Sequence, residues 1–166
     1  MTQAPCVLTP QLLTSEAFAP YGEVIAHRGT ERRHPVALHA ATASEGLTVA
    51  SWVSRLKTAV EGVVEIAEME RHPFSDQAFV PLSGQRFLIV VCDDADGLPD
   101  PATARAFVTT PGQGVIYRRN VWHAGMQVFD APAEFFVQMQ RHPQEADDIF
   151  MPVSTPIHVL PAEELV

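Results

Sequence analysis

Short runs of apolar residues recur along the chain, and turn-forming residues separate many of them. The runs are rich in Val, Ile, Phe and Trp, while Gly, Pro, Asp and Ser occupy many of the gaps, a pattern typical of antiparallel β-sheets. The pair Ser83-Gly84 between two runs predicts a tight hairpin. We expect strands at residues 22–26, 47–55, 63–69, 77–82, 86–92, 114–117, 126–129 and 134–140.

Two short helices are expected between the strands. Thr14 or Ser15 can cap a helix that ends by Ala19, and Pro101 suits the first turn of a second helix that carries residues 102–106. Long helices are disfavoured because 14 prolines are spread through the 166 residues, and an interior proline costs a helix about 3 kcal/mol. The pattern therefore predicts an all-β fold, a barrel or double-sheet jelly roll with a few short helices.

Composition limits the class of protein and of partner. A chain of 166 residues can bury one sizeable core, so we expect a single domain over residues 1–166. Its net charge of −9 repels polyphosphates and argues against nucleic acid as a partner. The longest apolar run, residues 87–92, is far shorter than the roughly 20 residues that cross a bilayer. Two cysteines at unrelated positions and no visible signal peptide predict a cytoplasmic protein without a membrane partner.

Polar functional groups concentrate in two segments, residues 70–77 and 111–123. Each segment places a histidine, His72 or His123, beside an expected strand. Because inward side chains of a small barrel meet in one cavity, the two histidines are expected to share a small-molecule site.

The two segments resemble the half-motifs of the cupin superfamily. His72 and Gln77 fall where the first half-motif has a late histidine and a carboxylate, and His123 falls near the histidine of the second. A divalent metal at His72, Gln77 and His123 is one interpretation, but glutamine is a poorer ligand than glutamate and the chain has no His-x-His pair. The cofactor, if any, is left open.

A closer resemblance covers most of the chain from about Leu12 to Arg141. The segments AFAPYGEVI, ERHPFSDQAFVPL, FLIVV, RAF and GQGVIYRRNVWH are similar to those of bacterial ureidoglycolate lyases. That family has a cupin-type barrel, is usually dimeric, and splits ureidoglycolate into glyoxylate and urea in purine-nitrogen salvage. The resemblance implies a carbon–nitrogen lyase, a small anionic substrate and a homodimer, to which the apolar tail residues 157–160 could contribute.

The resemblance also suggests roles for individual residues. His123 is the preferred base, with His72 or Tyr117 as proton donor or orienting group, because histidine titrates near neutral pH. The amide of Gln77 can both donate to and accept from a ureido group. Guanidinium groups can hold a carboxylate through paired hydrogen bonds. The predicted substrate-binding residues are Gln77, Arg55, Arg71, Arg119 and Trp122.

Two departures from the family pattern keep other functions open. Arg118 and Ala124 stand where the family typically has histidines. A non-catalytic cupin domain that binds a small anion is one alternative, and a metal-dependent cupin enzyme is another. Arg118 and Arg119 cannot both face the interior of a strand, because successive side chains alternate.

Overall fold

A computed structural model describes residues 4–41, 46–162 and 165, and most of its regular structure is strand. The helices are α1 (Ser15–Phe18) and one 3-10 turn (Pro101–Thr103). The strands are β1 (Cys6–Leu8), β2 (Gln11–Leu12), β3 (Gly22–Ile25), β4 (Thr48–Leu56), β5 (Val64–Arg71), β6 (Gln77–Pro81), β7 (Phe87–Cys92), β8 (Asp94–Ala95), β9 (Leu98–Pro99), β10 (Arg105–Val108), β11 (Gly114–Tyr117), β12 (Trp122–His123), β13 (Gln127–Val128), β14 (Ala133–Arg141) and β15 (Ile149–Val159).

Two sheets form the barrel, and their pairs are mostly antiparallel. One sheet follows the order β1-β15-β5-β12-β7-β10-β2, with β13 also paired to β7, and the other follows β3-β11-β6-β14-β4. Their inward side chains share one buried cluster, in which Phe87 and Phe107 of the first sheet accompany Val115 and Phe135 of the second. This arrangement confirms the predicted all-β, cupin-type double-sheet barrel.

A second buried cluster covers the opposite face of the first sheet. Along β7, Phe87, Ile89 and Val91 belong to the cluster between the sheets, whereas Leu88 and Val90 belong to the second cluster. Strand alternation alone therefore explains why β7 is apolar at every position: both of its faces are covered.

Two local expectations were wrong, and one question that the sequence left open is answered. The strands on either side of Ser83-Gly84 enter different sheets, so this turn links the sheets and forms no hairpin. The second helix ends after Thr103, and Arg105 begins β10 because Ala106 and Phe107 are buried as strand residues beside β7. The packing of the tail after Pro152, against the barrel or a partner subunit, was left open by the sequence; up to Val159 the tail lies along the barrel of its own chain as part of β15.

Local chemistry accounts for the ends of α1 and for one tight strand contact. Thr14 caps α1, since its side chain accepts a hydrogen bond from the Ala17 N–H at 3.1 Å. At Gly22 an added Cβ would lie 1.8 Å from the Ile116 carbonyl oxygen, so only glycine permits β3 to approach β11 this closely.

In the described part of the chain, no helix has the length and apolar character needed to span a bilayer.

Candidate active site

Two imidazoles that are 51 positions apart in sequence meet inside the barrel. His72 follows β5 and His123 lies in β12, and their ring centroids are 5.3 Å apart. Nδ1 of His72 is 3.0 Å from the Asp147 carbonyl oxygen, and Nδ1 of His123 is 2.9 Å from that of Val121. A carbonyl only accepts, so each Nδ1 donates, and Nε2 of the neutral His123 ring carries a free lone pair. Neither Nε2 has a hydrogen-bond partner among the described residues.

Glu70 joins this pair as a site residue that the sequence analysis did not name. Its carboxylate lies 3.6 Å from Nε2 of His123, and burial raises its pKa. Burial, together with the neighbouring His72, lowers the pKa of His123 to about 3, which keeps that ring neutral at physiological pH. The sequence contained a signal for Glu70 as a site residue. Glu70 lies two positions before His72 at the end of β5, and side chains two positions apart on a strand lie on the same face.

Tyr117 is packed flat against His123. The ring centroids are 4.1 Å apart and the planes differ by 10°. Burial, with a smaller effect from Glu70, raises the pKa of Tyr117. The phenol therefore keeps its proton at neutral pH and remains a hydrogen-bond donor.

A cavity of about 250 Å³ lies next to these groups. Gln77, on the inner face of β6, donates from Nε2 to the Met139 sulfur at 3.5 Å, and its Oε1 has no partner among the described residues. The free amide oxygen makes Gln77 available to a ligand donor. The lining residues are Trp52, Ser54, Glu70, Gln77, Phe79, Tyr117, Ala124, Met126, Arg141, Asp148 and Phe150.

Arg141 is the guanidinium that lines this cavity, and the sequence analysis did not name it as a site residue. It ends β14, and its guanidinium carbon lies 5.3 Å from the centre of the Trp52 ring. One guanidinium nitrogen lies 3.2 Å from a carboxylate oxygen of Asp148. Ala133, Phe135 and Val137 of β14 belong to the cluster between the sheets. Met139 continues this alternation as a buried residue, so two further positions place Arg141 on the same inner face.

The three arginines predicted to bind substrate lie outside the set that lines the cavity. Arg55 occupies the outer face of β4, where its Nε donates to Glu134 at 2.7 Å. Arg71 donates to Asp94 at 2.6 Å. Arg119 is exposed, and its backbone N–H donates to Asp76.

Trp122 also points away from the cavity. It precedes His123 on a two-residue strand, so the two side chains occupy opposite faces. Its ring belongs to the second buried cluster, and its indole N–H donates to Asp94 at 2.8 Å. Arg71 lies over this ring at 4.5 Å. Trp122, Arg71 and Asp94 thus form a separate cluster, which supports β12 from behind.

The carboxylate of Asp76 connects the loops that carry the two histidine segments. One oxygen accepts the Arg119 N–H and the other the His39 N–H, both at 2.8 Å. The Asn120 N–H donates to the His72 carbonyl oxygen at 2.9 Å. These bonds hold the ends of β6 and β11 together, which positions Gln77 and Tyr117 side by side at the cavity.

The donor set also fits a divalent metal ion. Glu70, His72 and His123 each offer one ligand atom, and all three atoms lie within 4.8 Å of one another. Two imidazoles and a carboxylate suit Zn²⁺ and other transition metals. The two buried imidazole nitrogens that have no hydrogen-bond partner among the described residues give a cation a physical reason to bind here.

Comparison with known proteins agrees with the resemblance seen in the sequence motifs. The ureidoglycolate lyase family profile matches residues 5–159. A ureidoglycolate lyase of Mesorhizobium japonicum is 39% identical over 140 residues, or 78% of this chain and 83% of that protein. One from Brucella anthropi is 39% identical over 135 residues, or 75% and 78%.

Among solved structures, a sugar 3,4-ketoisomerase of Thermoanaerobacterium thermosaccharolyticum is similar with a TM-score of 0.41 and 16% identity, over 60% of this chain and 64% of its own. The family assignment depends on the profile, which spans most of the chain, and on relatives that share more than a third of their residues with it. This chain belongs to the ureidoglycolate lyase family.

Proposed function

We propose that the chain is a lyase that splits ureidoglycolate, or a closely related ureido acid, into glyoxylate and urea. Family membership supports this activity over a non-catalytic anion-binding domain. The observation that carries the proposal is the convergence of unpaired imidazole nitrogens and a carboxylate beside a small cavity that contains one guanidinium. Acid–base groups and an anion-binding group are what this reaction needs.

The reaction moves one proton between two parts of the substrate. The hydroxyl on the central carbon loses its proton as its oxygen becomes a carbonyl, and the carbon–nitrogen bond breaks with its electron pair moving to nitrogen. That nitrogen takes up a proton and leaves as urea. Atoms and electrons balance without water or an oxidant, so the protein needs a base, an acid and a site for the carboxylate.

The proposed base is the pair of His123 and Glu70. The pKa of His123 is lowered to about 3, so its ring is a weak base by itself. The Glu70 carboxylate, whose pKa is raised by burial, lines the cavity 3.6 Å from Nε2 of that ring and takes up the proton in contact with it. Tyr117 and His72 remain the candidates for the proton donor or the orienting group. Tyr117 lines the cavity and its raised pKa preserves the donor form. The free Oε1 of Gln77 is suited to accept a hydrogen bond from a ureido N–H.

The substrate carboxylate binds to Arg141 in this proposal. Arg141 lines the cavity, and its contact with Trp52 orients the guanidinium. Arg55, Arg71 and Arg119 remain predictions without a contact to the cavity, so Arg141 is the better-supported group.

Assaying glyoxylate and urea release tests the proposed activity. Wild type should release both products in equal amounts, and His123→Ala should lower turnover by about 100-fold or more, since general acid–base catalysis contributes at least that factor. His158→Ala is the control, because His158 pairs with Glu65 on an exposed strand position. Equal turnover by wild type and His123→Ala would exclude His123 as the base, and no release of urea by wild type would refute the activity.

A metal-dependent form of the same reaction is the second candidate. The cluster of Glu70, His72 and His123 favours it. A metal bound there would act as a Lewis acid that polarises the substrate oxygen. Elemental analysis of protein purified without added metal separates the candidates: one equivalent of a transition metal favours this form, and its absence together with full turnover excludes it.

The remaining proposals concern assembly, domain organisation and compartment. A homodimer is supported by exposed apolar side chains on the outer face of β4, where Val49 is 65% and Val53 is 57% exposed. Light scattering after gel filtration tests it.

Both buried clusters share the β7 strand, which supports one domain over residues 1–166. The free thiols of Cys6 and Cys92 are consistent with the cytoplasm as the compartment.

A further inference from the structure

Asp148 lies between the guanidinium of Arg141, which lines the cavity, and the imidazole of His72 beside it. Its Oδ2 is 3.2 Å and its Oδ1 3.5 Å from the same guanidinium nitrogen of Arg141. Its Oδ1 is also 3.3 Å from Nδ1 of His72. One side-chain carboxylate therefore contacts both the proposed anion-binding group and a proposed catalytic group.

The charges around the cavity disfavour an anionic substrate unless this arrangement changes. Among the described residues that line the cavity, Arg141 is the cationic side chain, while Glu70 and Asp148 are both carboxylates. A substrate carboxylate entering beside Asp148 meets like charge, and Arg141 is the group that can offset it. The substrate and Asp148 thus compete for one guanidinium.

We propose that Asp148 sets the affinity of the cavity for carboxylate ligands, because it occupies Arg141 until the substrate's carboxylate displaces it. The inference rests on the proposed function and deepens it. In the free protein Asp148 pairs with Arg141. In the complex the substrate carboxylate takes that place, and Asp148 keeps its contact with His72.

The geometry indicates that breaking the Arg141–Asp148 pair costs little free energy. The Arg141–Asp148 contact is longer than the roughly 2.7–2.9 Å of a strong charge-assisted hydrogen bond. Both side chains are partly exposed, at 43% and 38%, so water can screen the pair and replace it. Trp52 continues to support the guanidinium after Asp148 has left. A ligand without a carboxylate leaves the pair in place, so Asp148 affects the binding of anionic ligands and not that of neutral ones.

Calorimetric binding of the two products tests the displacement. Asp148→Asn removes the competing charge and should tighten glyoxylate binding on the order of fivefold, the lower end of typical coupling between linked sites. Binding of urea, which carries no charge, should stay within twofold. Glu145→Gln is the matched control, because it removes one charge from the same loop at a side chain that is 67% exposed and contacts His142. It should leave both affinities unchanged.

Unchanged or weaker glyoxylate binding by Asp148→Asn would overturn the displacement, and weaker binding would indicate that Asp148 contacts the ligand directly. A crystal structure of wild type with glyoxylate gives an independent measurement that needs no variant. We expect the Arg141–Asp148 separation to exceed about 4 Å, the usual limit of an ion pair, and a retained pair would refute the idea. Wild type that neither binds glyoxylate nor cleaves ureidoglycolate refutes the proposed function itself. If wild type binds glyoxylate and cleaves ureidoglycolate, but Asp148→Asn binds glyoxylate no more tightly, the displacement alone is refuted.

Discussion

Replacing Arg141 by glutamine should lower kcat/KM for ureidoglycolate by about 10- to 30-fold. A hydrogen bond to a charged group contributes about 1.5–3 kcal/mol, and the lower part of that range applies because the Arg141 side chain is 43% exposed. A loss of about 1.5–2 kcal/mol converts to that factor at about 1.4 kcal/mol per tenfold. The loss should appear mainly in KM if the carboxylate is held equally in the ground and transition states.

Arg55→Gln is the matched control for this measurement. The substitution is identical, but the Arg55 side chain is 64% exposed and pairs with Glu134 on the outer face of β4. Steady-state kinetics should show less than a twofold change. An Arg141→Gln enzyme within twofold of wild type would refute the assignment of the carboxylate to Arg141. An equal loss in both variants would show that charge in general, and no particular guanidinium, binds the substrate.

Three further predictions concern stability and metal binding. Burial lowers the folded-state pKa of His123 from 6.5 to about 3. The neutral His123 ring therefore contributes its full share to the free energy of unfolding above pH 6.5, and this share is lost as pH falls toward 3, by up to about 1.4 kcal/mol per pH unit. Urea unfolding at pH 7 and pH 5 should show a smaller difference in stability for His123→Asn than for wild type. Gly22→Ala should destabilise the fold by about 1–3 kcal/mol through its clash with Ile116, whereas Gly125→Ala, whose Cβ meets nothing within 4 Å, should unfold at nearly the wild-type urea concentration. Adding Zn²⁺ to chelator-treated protein should raise Tm, and Glu70→Gln should reduce that shift because one of three donors is lost; equal shifts would exclude Glu70 as a ligand.

The strands with regular alternation or continuous apolar character could be predicted, because those patterns directly reflect which faces are covered. The strand β7 is an example, and so is most of β14. The strand β15 was missed since Pro152 and Pro156 lie within it. Its pairing with β5 shifts register between Pro152 and Ile157, and such an irregularity accommodates residues that cannot donate to the ladder.

The candidate site was only partly predictable, for a related reason. The motifs identified His72, His123, Gln77 and Tyr117, and the structure brings these four together. The guanidinium was harder to choose, because the face of a strand on which an arginine lies depends on pairing that a motif does not specify. Arg55 and the cavity-lining Ser54 differ by a single position in β4, and that position decides between the outer face and the site.

The bonds of the Asp76 carboxylate have a consequence for how the protein acquires its activity. They join residues 37 and 43 positions away in sequence, His39 and Arg119. A nascent chain that has not yet emerged as far as Arg119 lacks half of this closure, because only the bond from the His39 N–H to the Asp76 carboxylate can form. Competence for chemistry should consequently arise late in biogenesis, because the site also needs His123 and the Asp147 carbonyl that holds His72, and both lie beyond Arg119 in the chain.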